Sequence, residues 1–108
     1  MSGTGGAALI WAPFPDPEAA RSALAVLLNE KLVACGNLLP GVESTFAWQG
    51  AHAKSDECGA LLKTTAASLG PAMERLATLH PYETPSITGW VVHADAGTLA
   101  WLETETRR

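Results

Sequence analysis

Six consecutive residues, His80-Pro81-Tyr82-Glu83-Thr84-Pro85, set an imidazole just before, and a phenol and a carboxylate between, two prolines. Each proline lacks a backbone N–H and disfavours the helical conformation in the residue before it. A helix reaching His80 must stop there, and an extended run can begin after Pro85. The polar groups therefore sit on a stiff connection, where small domains place binding residues. A neutral imidazole nitrogen suits copper, zinc or nickel, which makes His80 the candidate metal-contacting residue, with Tyr82 and Glu83 near enough along the chain to shape the same site. A plainer reading competes: a helix stop whose terminal His is favoured by the helix dipole. One imidazole does not make a transition-metal site, which takes three or four donors.

Other residues could join Tyr82 and Glu83 in a ligand cleft. Lys63 follows Ala60-Leu61-Leu62 inside an extended run. It reads either as an outward lysine on a half-exposed strand or as a cation on a cleft wall, able to pair with Glu83 or hold a small anion. Phe46 and Trp48 share one face of a strand by period-two alternation. They suit packing between subunits, and Trp48 also suits the aromatic wall of a cleft formed where chains meet. His52 falls in a turn and His93 at a strand end, and both read as solvated. Cys35 and Cys58 have no spacing that suggests zinc. No nucleophile is paired with an evident base, and no glycine loop is built for phosphate, so the chain is not expected to be an enzyme.

The elements that must position these groups follow from periodicity and punctuation. Ala7 to Ala12 is a short apolar run, expected as a buried strand. Asp16-Pro17 is a helix start, with Asp as N-cap and Pro at the first helical position. That helix is expected to run to about Leu32, with Ala20, Leu24, Leu27, Leu28 and Lys31 on one stripe. Ala34 to Gln49 reads as a long strand bent at Pro40-Gly41. Gln49 to Lys54 is expected to turn, and Ser55 to Thr65 to return as the second arm of a long hairpin. A second helix should open at Ser68 or Leu69, with Gly70 and Pro71 in its first turn and Leu69, Met73, Leu76 and Leu79 or His80 buried. Ile87 to His93 supplies a fourth strand, and Thr98 to Thr104 a short closing helix. The order β-α-β-β-α-β is the ferredoxin-like, split βαβ arrangement of an α+β protein. Both main helices would cover one sheet face and leave the other bare, which is unusual for a stable monomer.

The run Leu32 to Gly50 resembles the CutA family, whose members are named for divalent-cation tolerance. The matching pieces are Leu32 to Cys35, Asn37 to Ser44 around Pro40-Gly41, Phe46, Trp48 with Gly50, Lys63-Thr64, and His80 to Pro85. They occur in the family's order across nearly the whole chain. The resemblance implies a homotrimer in which the long hairpin crosses to neighbours, with Phe46 and Trp48 at the interface. It also implies a role in divalent metal tolerance, copper above all. Three positions depart from the metal-binding pattern of some relatives. Ala12 stands where those relatives carry Cys, Leu79 where they carry a second His, and Ser86 where Glu is frequent. A weakly bound copper or zinc ion, or a small ligand, is therefore expected rather than a required cofactor. A trimeric signalling or protein-assembly module that senses a small metabolite is the alternative.

Composition agrees with these expectations. The chain has 108 residues, 47% of them apolar and only 17% charged, so one domain with some surface buried against a partner is expected. The formal charge of −4 and the scattered Lys and Arg argue against nucleic acid as a partner. Residues 1–6 read as a flexible tail with no signal-peptide pattern, and 7–108 as the single domain. No run is long enough to span a membrane. Two isolated cysteines fit a reducing compartment, so the expected location is the cytoplasm.

Overall fold

The computed structural model describes residues 6–108, so all but Gly6 of the expected tail lies outside the described residues. Gly6 itself is tied down, its carbonyl accepting the Ala66 N–H at 2.6 Å. The elements run β1 (Ala7–Phe14), α1 (Pro17–Asn29), β2 (Cys35–Trp48), β3 (Ala51–Thr65), α2 (Ala66–Leu79), β4 (Thr88–Val92) and α3 (Ala96–Glu105). The strands form one antiparallel sheet in the order β2-β3-β1-β4. This is the expected ferredoxin-like α+β arrangement with its closing helix. No described helix is long and apolar enough to cross a membrane.

Local chemistry sets the helix limits. The Asp16 carboxylate accepts the Ala19 N–H at 2.8 Å and Pro17 occupies the first turn, so α1 starts where expected. It ends at Asn29, three residues earlier than the apolar stripe suggests. Lys31 takes a left-handed φ of 59°, the Leu32 N–H bonds the Leu27 carbonyl at 3.0 Å, and the Lys31 N–H bonds that of Leu28 at 3.1 Å. This is a Schellman ending with Lys where Gly is usual. Lys31 and Leu28 consequently lie exposed, off the expected stripe. The second helix also begins earlier than expected. Thr65 Oγ1 accepts the Ser68 N–H, so Thr65 is the N-cap, and Pro71 falls inside the helix rather than in its first turn. The early start puts Ser68, Ala72 and Leu76 at the buried centre, with Leu69, Met73 and Leu79 packed at its edges.

The hairpin is longer than expected. Gln49 (φ 50°) and Gly50 (φ 83°) alone make the turn, and both have the positive φ of a tight type I′ connection. Ala51 to Lys54, expected in the turn, instead pair with Thr45 to Trp48. A register shift between Leu39 and Val42, with Gly41 at φ 80°, supplies the expected bend. Beyond it the two strands leave the body, and the chain measures 47 × 24 × 22 Å. Its radius of gyration of 14.4 Å exceeds the ~13 Å of a compact chain of this length.

The core lies between the two long helices and one sheet face. Ile10, Ala12, Phe14, Cys58, Ala60 and Leu62 point that way and are buried, against Ala20, Ala23, Leu27, Ala72 and Leu76. Gly36 and Gly89 let the helices approach the sheet; a Cβ at Gly36 would strike Leu24, and one at Gly89 would strike Leu69 and Met73. The opposite face carries Leu9, Trp11, Leu61 and Lys63, all half-buried, with Leu39 and Trp90 exposed. There the Trp11 indole packs against Gly59, where a side chain would collide with it. Helix α3 covers only one end of this face, burying Leu102 and Thr106.

Candidate functional site

At the end of the body where β1 stops, the connection from α2 to β4 crosses the base of the hairpin arm. His80 is the C-cap of α2, its N–H bonding the Leu76 carbonyl at 3.0 Å. Its ring stacks on Phe14 with centroids 4.2 Å apart and is only 7% exposed. Nε2 lies 2.8 Å from the Pro13 carbonyl oxygen, and Nδ1 accepts the Tyr82 N–H at 3.2 Å. A carbonyl can only accept and an amide N–H only donate, so the proton sits on Nε2. Burial lowers the pKa of His80, against the smaller raising effects of the Pro13 carbonyl and Glu57.

Both imidazole nitrogens are thus committed to the backbone. Among the described residues no three His, Cys, Asp or Glu side chains converge as a metal site. The described residues of the chain do not fit a dedicated copper or zinc centre, and His80 serves here as a buried clip between α2, β1 and the following turn. Ala12, at one of the positions that depart from the metal pattern, is a buried core residue.

The clip aims Tyr82. Its ring lies 4.9 Å from that of His80, tilted by 44°, and its hydroxyl donates to Glu57 Oε2 at 2.7 Å. Burial, then the hydrogen bond and charge of Glu57, push the phenol pKa up to about 12. Tyr82 is therefore a permanent donor to that carboxylate at ordinary pH. Beside the pair is a recess of about 390 Å³ whose walls are Pro13, Phe46, Trp48 and Tyr82, with Glu57 and the hydroxyls of Ser44, Thr84 and Ser86 as its polar groups. Phe46 and Trp48 are 42% and 52% exposed, so one side of the recess stands open in the protomer. An adjoining hollow shares those rings and brings in Glu83 and Lys54.

The structure brings Tyr82, Glu83, Phe46 and Trp48 together. Lys63 is elsewhere in the protomer. It pairs across the sheet with Leu9 and Cys35 and lines a separate hollow with His93, Asp95 and Thr98. It lies six positions along β3 from Glu57, about 20 Å. Glu57 itself was missed by the sequence reading. A signal existed: counting outward from the Gln49-Gly50 turn pairs Trp48 with Ala51 and Val42 with Glu57, which puts Glu57 on the face of Phe46 and Trp48.

Fold and site together define a class, a ferredoxin-like domain with a projecting β2–β3 arm and a tyrosine–carboxylate recess at its base. The family model for the CutA1 divalent ion tolerance protein matches residues 8–105. The Divalent-cation tolerance protein CutA of Citrobacter koseri is 38% identical over 94 residues, covering 86% of this chain and 82% of that one. The crystal structure of divalent ion tolerance protein CutA1 from Ehrlichia chaffeensis superposes with a TM-score of 0.90 at 28% identity, covering 96% of this chain and 98% of that one. CutA from Xylella fastidiosa superposes with a TM-score of 0.89 at 36% identity, covering 94% and 99%. This chain belongs to the CutA1 divalent ion tolerance family.

Proposed function

We propose that this protein acts without catalysis as a homotrimer in the response to divalent cations, copper foremost, by binding an ion or a small ligand weakly in the clefts where protomers meet. The observation that carries this reading is the incomplete recess at Tyr82. Its outer wall is a two-stranded arm with nothing behind it in the protomer, and such an arm is marginal in water unless something covers it. The bare sheet face with Trp11, Leu61 and Trp90 favours the same assembly. Two unpaired cysteines, one of them buried, suit a reducing cytoplasm.

The commitment of both His80 nitrogens favours a second reading in which the trimer is a signalling or assembly module and the cleft senses a small metabolite. Light scattering with calorimetric titration of copper and zinc separates the two. A mass of three chains with about one ion bound per chain supports a direct metal role. Three chains with no ion bound moves the function to the metabolite-sensing module. A monomer at micromolar concentration overturns both.

A further inference from the structure

Resting on that cleft, we propose that its recess takes a small organic cation, a primary alkylammonium or alkylguanidinium, with Glu57 as its charge partner and Phe46, Trp48 and Tyr82 around its stem. Glu57 is half-buried and, among the described residues, makes no ion pair; the ion pair found is Glu30 with Arg75, on the helices. Its one protein hydrogen bond, from Tyr82, goes to Oε2. Among the described residues Oε1 has no donor, and a carboxylate has about four acceptor sites.

The rest of the recess has the same polarity. The Tyr82 hydroxyl proton is spent on Glu57, so the phenol oxygen can only accept, and the Ser55 hydroxyl is beside it. The Ser44, Thr84 and Ser86 hydroxyls can each accept an N–H. Among the described residues no lysine or arginine lines it; Lys54 lines the adjoining hollow, which Glu57 also faces, but makes no ion pair with Glu57. An anion would meet a carboxylate with no ion-pair partner, and a neutral apolar molecule would leave that carboxylate desolvated. An N–H-rich cation satisfies the carboxylate, and the faces of Trp48, Phe46 and Tyr82 add cation–π attraction. A recess of about 390 Å³ is at the small end of ligand pockets, which suits a metabolite rather than a peptide. The chemistry would equally accept a Lys or Arg side chain from a second copy, so the test must separate a free ligand from a neighbour.

The experiment titrates the full chain with n-butylammonium, butanol and butyrate, following heat and tryptophan fluorescence, with assembly mass measured alongside. Butylammonium should bind at least about tenfold more tightly than butanol, with butyrate weakest. Glu57→Gln should abolish the preference for ammonium over butanol while leaving the mass unchanged. Tyr82→Phe keeps the carboxylate and should keep the preference. Trp48→Ala should weaken butylammonium and butanol together. Equal binding of butanol and butylammonium to the wild type overturns the cation assignment and leaves the cleft standing. Binding of no probe overturns the assignment, while the copper and zinc titration and the assembly mass judge the cleft separately. A Glu57→Gln protein that loses its assembly assigns Glu57 to a neighbouring copy's cation and overturns the free ligand.

Discussion

The two faces of the sheet are made of alternate residues of the same strands, yet they behave as different materials. On β3, Cys58, Ala60 and Leu62 face the helices and are at most 1% exposed. Leu61 and Lys63, one residue away, face outward and stay half-buried at most. On β1, Ile10, Ala12 and Phe14 are sealed while Leu9, Trp11 and Pro13 are not. The helix face is a finished core; the other face is apolar but unfinished, and the hairpin arm extends it beyond the body. The chain therefore seals its core on one side of the sheet and leaves the recess open on the other. The site residues Phe46, Trp48 and Glu57 all belong to the unfinished surface.

Breaking the finished side should have the largest effect. Leu62→Ala removes a side chain packed between the sheet and α1, and chemical denaturation should show a loss of about 3 kcal/mol. Leu61→Ala, on the neighbouring residue, should cost the isolated chain about 1 kcal/mol and, if this face is where copies meet, lower the assembly mass at a given protein concentration. Equal losses at the two positions, with the assembly mass unchanged, would erase the difference between the faces.

A smaller effect sharpens the comparison at the site, where a core residue meets the recess. The folded-state pKa of His80 is lowered. The unfolded chain therefore takes up the proton first, and the stabilisation is fully present above the unfolded value near 6.5. It is lost as pH falls through that value toward the lower folded one. Protonation also puts an N–H on Nδ1, facing the Tyr82 N–H. The melting temperature should be flat above neutrality and fall through mildly acidic pH, while His80→Gln should lack that acid limb. An identical profile in the variant would remove His80 from this role.

The smallest effect lies away from both surfaces. Lys31 holds a left-handed φ of 59° at the end of α1. Only its backbone carbonyl is needed by Arg108, at 2.9 Å. Lys31→Gly should relieve the strain, less the extra freedom of the unfolded chain, for a net gain of about 0.5 kcal/mol, read as a shift in denaturation midpoint at constant slope. A loss of stability would mean the lysine side chain contributes more than its backbone costs.

Features set by near neighbours in the chain were legible before folding. Asp16-Pro17 starts α1 through a contact three residues away, and the prolines around Tyr82 stop α2 at Leu79. Pro40-Gly41 marks the bend, and alternation put Phe46 and Trp48 on one face. The errors fell where two local signals competed. Thr65 reads as a strand residue by propensity but caps α2 once the strand ends, and Lys31 fits the helical period yet terminates the helix. Ala51 to Lys54 look like a loop by composition and are held in the ladder by the opposite strand.

What the sequence determined by itself was the list of elements and the stiff, polar turn between two prolines, because backbone propensities and caps act over a few residues. What only the tertiary structure decided was the meaning of that turn. His80 meets Pro13 across 67 positions and Tyr82 meets Glu57 across 25. Those contacts turned an apparent metal ligand into a buried clip and made an unremarked glutamate the charged floor of the recess. The reason is that hydrogen-bond partners and burial are properties of space, and a chain of alternating faces does not say which of them another element will cover.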